Sequence, residues 1–198
     1  MSNLLDCMRI GDTVDVRGPT GDILYKGHGK FTIEGEEHSF SKISLVLGGS
    51  GITPGYALVA RIIAASAASN DASNIQIRIV DANKSEKDIL LRNELDHFEK
   101  ESQGRLKISH VLSHPSDEWK GLKGHVNEQI IKDSLFAPGD DSVVFLCGPP
   151  AMIQKAAMPA LKGKSLSLSM SVKKRKHKLT LFNFLDWGYA EDKNLFGF

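Results

Sequence analysis

The chain of 198 residues sets 25 Lys and Arg against 24 Asp and Glu and is 41% hydrophobic and 25% charged, the composition of one ordinary globular domain able to bury a sizeable core. No apolar run reaches the ~18 residues of a membrane span. The first residues lack the basic start and apolar run of a signal peptide, and two cysteines make no disulfide framework, so a reducing, cytoplasmic setting without a membrane partner is expected.

In chain order, "DTVDVRG" (12–18) alternates polar and apolar residues and runs into the turn signal "GPTG", which predicts β-structure. "ILYKGHGKFTIEGEE" (23–37) continues as short β-like pieces. "ISLVLGGSGITP" (43–54) is a continuous apolar run, as in a strand buried on both faces, followed by a Gly-rich turn and the helical "GYALVARIIAASAAS" (55–69). "IQIRIVDAN" (75–83) reads as a strand. In "EKDILLRNELDHFEKES" (86–102) Ile89, Leu90, Leu95 and Phe98 fall near one face of a predicted helix. "RLKISHVLS" (105–113) is a strand and "GHVNEQIIKDSLF" (124–136) a helix. "SVVFLCGPP" (142–150) is a strand entering a turn, and "AMIQKAAMPALK" (151–162) a helix started by prolines. Strands alternating with helices predict an α/β fold with a doubly wound parallel sheet.

In such sheets ligands bind beyond the carboxyl ends of the strands. Two glycine-bearing turns lie there, "GGSGITP" (48–54) and "CGPPAM" (147–152). Gly48, Gly49 and Gly51 allow a sharp turn and a close backbone approach, and Ser50 and Thr53 offer hydroxyls. The following helix start supplies free N–H groups and partial positive charge, which together suit a phosphate or pyrophosphate. The spacing is neither that of a P-loop nor that of a strict dinucleotide fingerprint, and the same glycines would serve a turn that binds nothing. Cys147 ends a buried strand with no sequence-adjacent base, so by itself it reads as a structural cysteine. The seven His residues show no metal-ligand spacing, and no metal site is expected.

The order of the pieces carries a resemblance. "GDTVDVRGPTG", "GGSGITP", "DANKSEKDILLRNEL", "CGPPAMIQKAAMPAL" and "NLFGF" follow one another in a pattern similar to the flavoprotein part of eukaryotic, especially fungal, nitrate reductase. More broadly the pattern resembles cytochrome b5 reductase and the ferredoxin–NADP reductase superfamily. The resemblance implies a β-barrel FAD domain followed by an α/β NAD(P)H-binding domain, with hydride passing from the nicotinamide to FAD and electrons then leaving singly to haem and, in nitrate reductase, to molybdenum. It implies that Gly48, Gly49, Ser50, Gly51, Thr53 and Pro54 line the pyridine nucleotide and the flavin edge. Asp81, Ala82, Asn83 and Lys84 would lie at the adenosine part. Lys84, Lys87 and Arg92 are candidates for a 2′-phosphate contact favouring NADPH over NADH, or else a solvated helix face. Cys147, Gly148, Pro149 and Pro150 match the nicotinamide-side motif, in which the thiol aligns the ring and is not a nucleophile. Met152 would lie beside it, and Phe198 matches the family's terminal aromatic.

Two departures follow. The family's flavin motifs are not whole, and the opening "MS" matches only the end of its pyrophosphate motif, leaving Ser2 as the candidate remnant. Residues 1–40 are therefore expected to be the remnant of an FAD barrel, with 41–162 plus 186–198 forming the NAD(P)H domain. The expected function is a fragment of the reductase module of nitrate reductase; the alternatives are another cytochrome b5 reductase-like oxidoreductase and a catalytically silent nucleotide-binding fragment. The missing FAD, haem and molybdenum domains would be its partners, with FAD weakly held or absent. The second departure is residues 163–185, "GKSLSLSMSVKKRKHKLTLFNFL", with six Lys or Arg and no acid. Without it the other 19 cations face 24 acids, which argues against nucleic-acid binding, although "KKRKHK" alone would suit nuclear import or nucleic acid. Deleting it joins "PALK" to "DWGY", as in the family. Its codons can hold donor-, branch- and acceptor-like signals at Gly163–Ser165, Leu179–Thr180 and Leu185–Asp186. A retained intron is expected there, disordered and disturbing the docking of the tail.

Overall fold

The computed structural model describes residues 2–17, 21–68, 74–162, 189 and 194–197. Its main sheet has six parallel strands: β4 (Lys42–Gly48), β5 (Gln76–Asn83), β6 (Leu106–Leu112), β7 (Leu122–Lys123), β8 (Ser142–Cys147) and β9 (Leu195–Gly197). Their spatial order is β7-β6-β5-β4-β8-β9. The chain therefore builds outward from β4 in one direction and then returns to add β8 and β9 on the other side. That reversal between β4 and β8 is a topological switch point, where α/β sheets open a crevice for ligands. The predicted doubly wound sheet is present.

β4 has one partly buried and six buried residues, and β8 has five buried residues of six. Each strand serves two cores because side chains alternate across the sheet. Ile43, Leu45 and Leu47 join Ile77, Ile79, Val143 and Phe145 on one face, covered by α2 (Ile52–Ala68) and α3 (Arg92–Glu101). Val46, Val80, Val144 and Leu146 face the other way, onto α4 (Glu128–Ser134) and α6 (Met158–Leu161). Truncating one of the fully buried leucines to Ala would cost about 2–5 kcal/mol. The start of α4 is fixed by Asn127, whose side-chain oxygen accepts from the Ile130 amide at 3.0 Å and so satisfies one free N–H of the first turn.

The β-like pieces after residue 22 form a separate antiparallel sheet, β1 (Ile23–Gly27), β2 (Lys30–Ile33) and β3 (Glu36–Ser39). It is pinned to the first core by Phe31, whose ring lies 5.4 Å from that of Phe145. A five-residue helix, α1 (Ser2–Asp6), precedes it.

Three expectations need correction. Asp12–Arg17 forms no strand; among the described residues it finds no ladder partner, and Val14 and Val16 remain exposed. The predicted helix over 86–102 begins only at Arg92. Ahead of it, Ser85 and Asp88 cap a separate 3-10 turn, Glu86–Asp88, and Leu91 adopts φ 54, a left-handed conformation that breaks helical continuity. Leu90 consequently points outward. Finally, the described part of the tail, Tyr189 and residues 194–197, is docked. β9 pairs with β8 through Val144–Leu195, Phe145–Phe196 and Leu146–Gly197, and the buried Tyr189 donates its hydroxyl to the Phe136 carbonyl at 2.8 Å. Residues 163–185 lie outside the described residues.

Candidate functional site

The two glycine turns meet at the carboxyl ends of neighbouring strands, with Leu47 of β4 beside Cys147 of β8. They interlock so closely that side chains are excluded. A Cβ on Gly51 would collide with the Cys147 carbonyl, and one on Gly48 would come within 2.9 Å of both Met152 Sδ and Pro149 Cδ. A Cβ on Gly148 would strike Met152 Cε at 2.7 Å and the Gly48 amide at 3.0 Å. Gly49 has φ 55, which glycine adopts without a Cβ penalty. Ser50 and Gly49 form the 3-10 turn that feeds α2, and Thr53 Oγ1 donates to the Ser50 carbonyl at 3.0 Å.

Between the turns opens a cleft of about 400 Å³, lined by Gly48, Gly49, Ser50, Gly51, Thr53 and Pro54 from one side and Cys147, Gly148 and Pro149 from the other. Nine expected site residues thus line one cleft, at the start of a long helix. Pro150 opens α5 (Pro150–Met152), which carries Met152 over Gly48 and Gly148. A second, larger cleft of about 860 Å³ lies on the other side of Cys147. It is bounded by Ile23 and Ile33 of the small sheet, by Ile153 and Met158, and by Leu195 and Phe196 of β9. Sequence reasoning did not find this cleft, because it is made by three segments far apart in the chain. Cys147 and Gly148 line both clefts. Burial pushes the Cys147 thiol above its ordinary pKa, so at neutral pH it is a protonated, weakly nucleophilic group.

On the other side of β4 the register sets Gly48 beside Ala82, so the ends of β5 and β4 form a continuous edge. Asp81 is 1% exposed and lies beneath that edge, out of a ligand's reach. One of its oxygens takes both the Asn83 amide and His110 Nδ1 at 2.9 Å, tying β5 to β6. Asp81 Oδ1, Asn83 Oδ1 and His110 Nε2 are buried without a protein partner. Lys84 and Lys87 are exposed. Arg92 lies with its guanidinium 5.6 Å from the centre of the Trp119 ring. Ser2 stands at the start of α1, but its side chain and Phe198 lie outside the described residues. Among the described residues no group of three or more His, Cys, Asp or Glu is placed to hold a metal ion, and no helix is long and apolar enough to cross a membrane.

A switch-point crevice, and a cleft walled by a glycine turn that feeds a helix, define a nucleotide-binding α/β domain of the ferredoxin-reductase fold. The chain belongs to the oxidoreductase NAD-binding domain family, whose pattern matches residues 45–158. It is 44% identical over 167 residues to NADH-cytochrome b5 reductase 2 of Danio rerio, covering 81% of this chain and 52% of that protein. It is 39% identical over 161 residues to the NADH nitrate reductase of Spinacia oleracea, covering 81% of this chain and 17% of that one. The cytochrome b5 reductase domain of Ulva prolifera nitrate reductase superimposes with a TM-score of 0.82 at 28% identity, over all of this chain and 64% of that chain. The chain thus spans about half the length of the cytochrome b5 reductases it matches.

Proposed function

We propose that this chain binds NADPH or NADH across the carboxyl edge of its sheet and presents the nicotinamide beside Cys147. In this reading it is the nucleotide half of a flavin-dependent reductase of the cytochrome b5 reductase and nitrate reductase kind. The observation that carries the reading is the position of Cys147 and Gly148, which line both the glycine-walled cleft and the larger cleft behind it. The thiol is where a donor in one cleft meets an acceptor in the other.

Each group has a task. The backbone of Gly48–Gly51 approaches the pyrophosphate without Cβ atoms in the way, and the start of α2 favours its charge. Neighbouring strands are about 4.8 Å apart, so the nucleotide reaches from β8 across β4 to β5. Its adenosine then lies over Ala82, Asn83 and Lys84. Cys147, kept neutral by burial, lies against the nicotinamide as a packing and weakly hydrogen-bonding group that sets the ring's approach. Met152 closes the turn beneath it.

In the same reading the larger cleft takes a planar flavin ring, against apolar walls that include Ile23, Ile33, Leu146, Leu195 and Phe196. When bound, FAD supplies the conversion of a two-electron hydride donor into one-electron steps. The chain's own residues hold the rings in register and keep solvent from the hydride path. In the whole protein the electrons would pass on to haem and, in the nitrate reductase form, to molybdenum, where nitrate is reduced. The described residues offer no ligand set for those metals, and no step here runs through them. The domain division at residues 40/41, with β1–β3 belonging to the flavin side, forms part of the same reading.

Titration of the purified chain with NADH and NADPH tests it. Saturable binding with Cys147 protected from alkylation supports the reading, and no binding of either nucleotide overturns it. A yellow protein that reduces ferricyanide marks a working reductase; a colourless one that binds without turnover marks a nucleotide-binding fragment.

A further inference from the structure

Two stretches meet at the corner beyond β5. One is the 3-10 turn Glu86–Asp88 that precedes α3; the other is the segment 113–121 that links β6 to β7. Two backbone bonds carry the β5–β6 ladder past the strand ends. The Ser113 amide donates to the Asn83 carbonyl at 3.1 Å, and the His114 amide to the Lys84 carbonyl at 2.7 Å. The segment then leaves the ladder and rejoins the sheet at β7, where the Gly124 amide donates to the Leu112 carbonyl at 2.8 Å. In between, Ser116 gives both its amide and its hydroxyl to Glu86 Oε1, at 2.9 and 2.6 Å. Among the described residues these are the segment's hydrogen bonds to the turn. The post it is tied to is fixed, because Asp88 closes the same turn by accepting from the Ser85 amide and hydroxyl at 2.9 and 2.7 Å. Beyond the tie, the Trp119 amide donates to the Ser116 carbonyl at 3.2 Å, and Trp119 Nε1 donates to the Leu122 carbonyl at 3.0 Å. A Cβ on Gly121 would come within 2.5 Å of the Trp119 ring, and the Arg92 guanidinium lies 5.6 Å from the ring centre. The tie thus holds the Trp119 end of the segment beside the start of α3.

We infer that Glu86 is a positioning residue for the nucleotide: by holding Ser116 it fixes the segment 113–121 as the outer wall of the place where adenosine lies. The inference rests on the reading that adenosine lies over Ala82, Asn83 and Lys84. A connection held only at its two ends has to be ordered as the ligand arrives, which lowers affinity. The two bonds to Glu86 order it beforehand. Lys84, Lys87 and Arg92 stay at the corner whether or not those bonds are made, so the effect falls on the adenosine itself and is the same for NADH and NADPH.

The test is titration of the full chain with NADH, NADPH, ADP-ribose, which lacks the nicotinamide, and reduced nicotinamide mononucleotide, which lacks the adenosine. Glu86→Ala removes the acceptor of both bonds. With the segment then in place in about one molecule in ten, NADH, NADPH and ADP-ribose should each weaken about tenfold, while the mononucleotide should stay within about twofold of its original affinity. Glu86→Gln keeps an oxygen able to accept both bonds and should retain most of the affinity. Ser116→Ala loses the hydroxyl bond but keeps the amide one, so it should weaken the adenosine-bearing probes by less than Glu86→Ala. The double variant Glu86→Ala/Ser116→Ala should be no weaker than Glu86→Ala alone, since both act through one contact. Unchanged affinity for NADH and ADP-ribose in Glu86→Ala overturns the inference and leaves the nucleotide reading standing. So does a loss shared equally by the mononucleotide, which marks a general structural role, and so does a loss that Glu86→Gln fails to restore. Failure of the unsubstituted chain to bind any of these probes overturns both.

Discussion

The amide of Tyr189 donates to the carbonyl of Leu161 across 2.9 Å. The chain therefore leaves the end of α6 and returns to the same point before the tail docks. Whatever lies between these two residues is not required to bridge any distance.

Deletion of residues 163–185 tests that relationship. Lys162 would join Asp186, and the loop between Leu161 and Tyr189 would shorten about sevenfold, recovering about 1.7 kcal/mol of closure entropy. Thermal unfolding should shift upward, with the circular dichroism spectrum and nucleotide affinity retained. A shortened chain that fails to fold, or that loses nucleotide binding, would show that the segment contributes to the molecule.

Gly51→Ala places a methyl group on the Cys147 carbonyl, which is backbone and has no rotamer to yield. A cost of about 1–3 kcal/mol is expected, together with weaker nucleotide binding, because the two turns must separate. Chemical denaturation gives the first quantity and titration the second. Gly49→Ala forms the contrast: nothing lies near its added Cβ, but its φ of 55 is unfavourable for alanine. It should lose stability through the backbone alone.

Asp81 holds Asn83 and His110 on one oxygen while buried to 1% exposure. Asp81→Ala leaves two partly buried polar partners without their acceptor, and about 3 kcal/mol of stability should be lost. Asp81→Asn keeps the shape and one acceptor and should lose less. Affinity for NADH should fall in parallel if the strand end carries adenosine; unchanged stability in the alanine variant would contradict the role given to Asp81.

Cys147 has a thiol pKa raised by burial above an ordinary thiol's 9.0. Its alkylation should stay slow at neutral pH and rise only above pH 9, because the thiolate is the reacting form. The neutral form is also the one suited to the folded site: a raised pKa of an acid means that ionisation at high pH opposes folding, so stability should decline as pH climbs past that of a free thiol. Mass spectrometry of alkylated peptides reads the first effect. A rise centred near pH 7 would mark an activated thiolate instead.

Much of the scaffold was legible because strands buried on both faces read as unbroken apolar runs, as in "ISLVLG" and "VVFLC". The glycine turns were legible too, since only glycine tolerates what Gly48, Gly51 and Gly148 face. What escaped depends on partners distant in sequence. Asp12–Arg17 has strand-like alternation, but among the described residues it has nothing to pair with. β9 is three residues long and exists because β8 offers an edge. Ser116 carries no local signal that its acceptor is Glu86. The second cleft needs Ile23, Cys147 and Phe196 brought together by folding. Leu90 satisfied the helical periodicity, yet the left-handed backbone of its neighbour Leu91 overrode it.

β9 follows every other element of the sheet in chain order, although it forms one wall beside Cys147. Domains begin to fold while they are being synthesised. A growing chain would therefore possess β4, β5, β6 and β8, and with them the glycine-walled cleft, before the residues of β9 emerge. In the reading proposed above, the wall that β9 adds beside Cys147 would be the last part of the site to form.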